Sequence, residues 1–143
     1  MGGLALAADS PQERRPWIES GLEILQKGAV SHNYFFFHSD VINACLNDAD
    51  WNGVELHADM LARYTANESL PWSNFMVERA RWAIRTTEEG DDQEIQAAGK
   101  RLLNQGREMG LKRSVDIFLE WPGNPRSNDG LLRANDDQRA ARK

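Results

Sequence analysis

Apolar residues recur along this chain at steps of three and four, and strict apolar–polar alternation is nearly absent, so the pattern predicts helices and no sheet. A first helical segment covers about 10–26. Ser10, Pro11 and Glu13 carry a capping-box signature with proline at the first helical position. Pro16 removes a backbone donor and predicts a kink or restart, after which Trp17, Ile18, Leu22 and Leu25 share a face and Gly28 stops the helix. A second helix opens after Ser31 and reaches about Leu46, with Tyr34, Phe37, Val41, Ala44 and Cys45 on one stripe and Phe35, Ile42 and Leu46 on another. A helix apolar on two faces is packed on two sides.

The link 47–50 is short and polar, and Asp50 is suited to cap a third helix running to about Thr65. So short a link makes its two helices antiparallel neighbours. Trp51, Val54, Ala58 and Leu61 form the third stripe, with Trp51 and Leu61 expected to be buried between the paired helices. Pro71 starts a fourth helix with Trp72, Phe75, Met76, Ala80 and Ala83 on one side, ended by Glu88, Glu89 and Gly90. Asp91 with Glu94 resembles another capping box, and Ile95, Ala98, Leu102 and Met109 carry a fifth helix to about Gly110. Ser114 opens a short sixth helix through Leu119, stopped at Trp121, Pro122 and Gly123. The expected organisation is a flexible N-terminus (1–9), a helical domain (10–120) and a polar, largely disordered tail (121–143).

A shift of about 41 residues lays the second and third helices over the fourth and fifth: Asn33 falls on Asn74, Tyr34 on Phe75, Val54 on Ile95, Ala58 on Gly99 and Leu61 on Leu102, although Trp51 falls on Asp92. Small residues at Ala58 and Gly99 let paired helices approach closely. Repeated helix pairs of this length mark an α-solenoid, in which each pair buries a face against its neighbours. The expected fold is therefore all-α, with antiparallel hairpins stacked as a short tetratricopeptide-like α-solenoid. The first helix is then an orphan: either it caps the stack, or the 143 residues are the end of a longer solenoid.

The stretch 28–72, with Gly28-Ala29-Val30-Ser31-His32-Asn33, Asp50-Trp51, Ala62-Arg63-Tyr64-Thr65 and Glu68-Ser69-Leu70-Pro71-Trp72, resembles the tetratricopeptide-like C-terminal region of bacterial signalling proteins. In that family an adenylate/guanylate cyclase domain and a large ATPase domain precede the helical repeats. The resemblance covers about 2–119 and implies helical repeats with a regulatory or scaffolding role. It does not carry cyclase or ATPase activity, because no Gly-x-x-x-x-Gly-Lys-Ser/Thr loop occurs in the chain. The repeat unit is also longer than the roughly 34 residues of a standard tetratricopeptide repeat.

Composition narrows the field. At 143 residues, 41% hydrophobic and 27% charged, the chain fits one globular domain. A net charge of -5 argues against nucleic-acid binding, and no window approaches the ~20 apolar residues of a membrane span. The single cysteine, Cys45, has no internal partner and lies on an apolar stripe, which predicts a buried, inert thiol, a reducing compartment and a cytoplasmic protein.

Candidate chemistry is sparse. His32 and His38 are six residues apart, unlike the same-face spacing that metal ligation needs, and His57 sits on another helix. No metal, cofactor or catalytic residue is expected. The acidic run Glu88, Glu89, Asp91, Asp92 and Glu94 reads as complementation of a helix dipole. Tyr34, Phe35, Phe36 and Phe37 cannot all point one way, so they either pack between repeats or wall a ligand pocket. Arg81 and Arg85, one turn apart, are spaced to grip a carboxylate or phosphate, or else are solvated.

These features predict a non-catalytic interaction or scaffolding module whose partner is another protein or peptide segment, met on a concave side marked by His38, Arg81 and Arg85. The rival reading is a small-ligand sensor with an aromatic-walled pocket between the second and fourth helices. A small enzyme ranks last, because no acid–base or nucleophile set converges. The oligomeric state is open.

Overall fold

The computed structural model describes residues 1–89, 92–112 and 114–116, and every regular element among them is helical. Six helices are defined there: α1 (Gly2–Ala7), α2 (Pro11–Gln26), α3 (Ser31–Asn47), α4 (Trp51–Tyr64), α5 (Pro71–Glu89) and α6 (Gln93–Glu108). Ser114–Asp116 is helical where a sixth helix was expected. The rest of that segment and the tail 121–143 lie outside the described residues.

Local chemistry sets the boundaries. The Glu13 N–H donates to Ser10 Oγ at 3.3 Å to open α2, and the Gly53 N–H donates to Asp50 Oδ1 at 3.0 Å to open α4. For α6 the cap is Asp92, whose carboxylate accepts from Glu94 and Ile95; the expected cap, Asp91, lies outside the described residues. The link after α3 is a tight C-cap. The Asp50 N–H reaches Cys45 O at 2.9 Å and the Ala49 N–H reaches Leu46 O at 3.2 Å, with Ala49 in the left-handed region at φ 54°. Gly110 plays the same part at the end of α6, at φ 71°, where the left-handed backbone is cheap.

Helix α2 runs through Pro16 without the restart that was one of the two expectations there. This proline lies near the helix start with Gln12 and Pro16 both exposed, so the Gln12 carbonyl that loses its donor faces water. Within 1–9, where a flexible N-terminus is expected, the chain forms α1. Gly2 and Ala5 are buried, and a Cβ at Gly2 would stand 3.0 Å from Phe37 Cα, so the α1 backbone rests directly on α3. The Arg14 guanidinium then caps the end of α1, donating to Ala5 O at 2.6 Å and Ala8 O at 2.9 Å, and pairs with Asp48.

From α3 onward each helix packs on its successor, and α3 also touches α5. The core runs through Val41, Ile42 and Leu46 of α3, Val54, Ala58 and Leu61 of α4, Phe75, Met76 and Ala80 of α5, and Ile95 and Leu102 of α6. Leu61 is fully buried as expected, whereas Trp51 is only half-buried at the edge of the core. The repeat positions share burial: Val54 with Ile95, Ala58 with Gly99, Leu61 with Leu102. At Gly99 the reason is visible. The Trp82 indole lies on the bare backbone, where a Cβ would come within 2.7 Å of the ring, and its N–H donates to Ile95 O at 2.8 Å.

Candidate functional site

The helices sort the sequence-predicted site residues into two environments. His38 is not on a groove wall: it is 0% exposed on the inner face of α3. Its Nδ1 lies 2.9 Å from Nδ1 of His57, buried on α4. Burial, then the neighbouring His57, pushes the His38 pKa down to about 3, and burial lowers that of His57 to about 4 against the opposing pull of Asp50. Both rings are therefore neutral at pH 7, one donating through Nδ1 and the other accepting. His38 Nε2 has no partner among the described residues.

Arg81 stays at the surface, on the flank of α5 that faces α4, where it pairs with Asp59 at 3.0 Å. Arg85 is exposed one turn further on and is also engaged. The two arginines therefore share a flank of α5 but not a site with His38. Arg81 lines a polar hollow of about 350 Å³ with Thr65, Ser69, Asn74 and Glu78. Asp59 and Glu78 offset its charge, so the strip is mixed rather than basic.

Arg79, which drew no separate role from the sequence, is the most deeply buried cation among the described residues. It is 0% exposed, donates from Nη1 to Ser114 O at 3.1 Å and from Nη2 to Asn43 Oδ1, and leaves Nε without an acceptor among the described residues. Burial lowers its pKa to about 10, which still leaves it charged at neutral pH. Its polar bonds join α3, α5 and the segment after α6. Cys45 meets its expectation: the thiol is buried, and burial, with Asp50 adding to it, pushes the pKa up to about 12, far from a reactive thiolate. His32 is exposed. Among the described residues no three His, Cys, Asp or Glu side chains converge on a metal position, and no helix is long and apolar enough to cross a membrane.

The four aromatic residues at 34–37 divide as their helical spacing requires. Phe37 is buried against Gly21 of α2, and its ring meets those of His38 and His57. Tyr34 stacks on Tyr64 at 4.0 Å and leans on His38 at 4.4 Å. Phe35 meets Tyr64 and Trp72 edge-on, and Phe36, 60% exposed, meets Trp72 at 5.7 Å. The result is a continuous array of rings from the buried histidine pair to the surface, surfacing as a ledge of Phe36, Trp72 and Tyr64. Offset and edge-on ring contacts hold such side chains rigid even where one face is wet.

A groove of about 370 Å³ lies beside Phe36 and Phe37, between α1, α2 and α3. Ile24 and Leu25 add apolar wall, and Asn33 and Asp40 supply its polar groups. No protein-family model, no curated protein and no solved structure matches this chain.

Proposed function

We propose that the protein is a non-catalytic helical interaction or scaffolding module, and that its partner is met on the aromatic ledge of Phe36, Trp72 and Tyr64. The observation that carries this reading is the exposure of Phe36, set on Trp72 and braced from below by packed rings. Rigid, half-wet aromatic side chains supply contact area at small entropic cost and are over-represented among energetically dominant interface residues. The arginine flank is the weaker candidate, because Arg81 is already paired with Asp59. Aromatic faces attract both apolar and cationic groups, and a net charge of -5 favours encounter with a basic segment. The partner is therefore a protein segment carrying apolar and basic side chains. The repeated hairpins and the resemblance of 28–72 to the region that follows cyclase and ATPase domains support a tetratricopeptide-like stack and a place in bacterial signalling.

The test is capture from native lysate followed by titration of the captured protein against wild type and the Phe36→Ala/Trp72→Ala variant. The variant is expected to bind at least about 30-fold more weakly, equivalent to roughly 2 kcal/mol. Unchanged affinity sinks the ledge as the contact.

A second reading rests on the α1–α2–α3 groove, whose volume and mixed lining fit a small ligand. A small molecule that raises the melting temperature of wild type but not of Asn33→Ala supports it, and leaves partner binding through the ledge intact.

A further inference from the structure

The exposed large apolar side chains are not spread evenly. Met1 at the cap of α1, Leu4 on α1, and Trp17 and Ile24 on α2 gather on a pair of helices that pack on each other and on α3, while Val30, Phe36, Leu56 and Tyr64 are scattered over the rest of the described residues. On α2, Glu13, Trp17, Ser20, Ile24 and Lys27 follow one another at steps of four and three, so they share one face. The stripe beside it, with Arg14, Ile18, Gly21 and Leu25, is the one turned to the core. Arg15 and Glu19 pair with each other at 2.8 Å elsewhere on the helix surface and leave this face to the apolar side chains.

Read along α2, the face runs acidic, apolar, small, apolar, basic. Turned end for end, it runs basic, apolar, small, apolar, acidic, so it complements itself. That is the requirement of a two-fold contact, in which one patch must fit its own copy. We infer that this face is covered by a second copy of the chain, the two α2 helices crossing antiparallel over Ser20. Trp17 of each copy then lies on Ile24 of the other, and Glu13 of each faces Lys27 of the other.

Surface relief fits the same arrangement. A hollow of about 480 Å³ lies beside Trp17, lined by Leu4, Ala7, Ala8 and Pro16, and the groove described above lies beside Ile24. Each projecting side chain thus has a depression next to its counterpart, and the symmetry fills both pairs at once. Glu13 keeps its weak contact with the Asp9 N–H at 3.3 Å and remains exposed for Lys27. This inference goes beyond the ledge reading and rests on the outer face of α2, although the groove beside Ile24 also borders Phe36 of the ledge.

The test is sedimentation of the full chain from about 1 to 200 µM. Wild type is expected to associate reversibly to a dimer, and Trp17→Glu and Ile24→Glu to remain monomeric with unchanged helical circular dichroism. Glu13→Lys and Lys27→Glu, each alone, are expected to weaken the dimer roughly tenfold, because symmetry turns two rim contacts repulsive. The double reversal E13K/K27E is expected to recover it, since opposite charges again face each other. A wild type that stays monomeric throughout, single variants that dimerise normally, or a double reversal that fails to recover would each overturn the proposal. In the first case the face is left to another occupant.

Discussion

Around α3 and α4 apolar side chains are closed in by other apolar side chains: Val41, Ile42, Val54, Ala58 and Leu61 have essentially no exposure. At the α1–α2 end the contacts are of another kind. A glycine backbone rests on α3, a buried guanidinium closes the last turn of α1, and Trp17 and Ile24 stand in solvent. Both regions use the same amphipathic helices. They differ in how many faces have a partner: α3 touches four helices, α2 only two. A helix with one satisfied side and apolar residues left on another keeps a surface for something else, which is why both proposed contact surfaces are placed at this end and along the ring ledge beside it.

Substitutions should rank by this contrast. Leu61→Ala removes a fully buried side chain between α3 and α5 neighbours and should cost about 2–5 kcal/mol in chemical unfolding. An unchanged midpoint would break the comparison at its strongest point. Arg14→Ala strands the carbonyls of Ala5 and Ala8 and leaves Asp48 without its cation, at a cost of about 2–3 kcal/mol. Hydrogen exchange should then rise in α1 first, and uniform exchange across α3 and α4 would contradict the division.

The histidine pair sharpens the comparison from within the closed region. Both pKa values lie below the usual 6.5, so the unfolded chain takes up protons first as the pH falls. The stability of the neutral pair is fully present above pH 6.5 and is lost as the pH drops towards the folded values of about 4 and about 3. Between pH 6.5 and 5, where carboxylates stay ionised, the loss should be about 2 kcal/mol after allowance for water reaching the rings. The His38→Leu/His57→Leu variant should flatten that slope, and an unaltered slope would show that other groups carry it. The smallest effect is expected at the open end: Trp17→Glu, judged at a concentration where the chain is monomeric, should shift stability by no more than about 0.5 kcal/mol.

Helix existence and most boundaries were legible because they rest on local chemistry. Ser10 and Asp50 cap where their spacing to the first turn says they should, and the apolar steps in α3 to α6 locate the core face. What was not legible depends on partners distant in sequence. His38 continues the stripe of Val41, Ile42 and Cys45, and His57 that of Val54, Ala58 and Leu61, so their positions signalled burial although their chemistry suggested a surface. Arg79 likewise follows Phe75 and Met76 on the inner face of α5, and only Asn43 of α3 and the Ser114 carbonyl make that position tolerable. Helix α1 is only six residues long and opens with two glycines, too short to stand alone despite Leu4, Ala5, Leu6 and Ala7, and it forms because Arg14 and α3 hold it.

The central claim, that the ring ledge is a contact surface for another protein, is tested most directly by site-specific crosslinking. A photoreactive benzoylphenylalanine at Phe36 on the ledge is compared with the same residue at Arg101, exposed on α6. The account predicts a discrete protein adduct from Phe36 in cells and none from Arg101. No adduct at Phe36, or the same adducts at both positions, would contradict it.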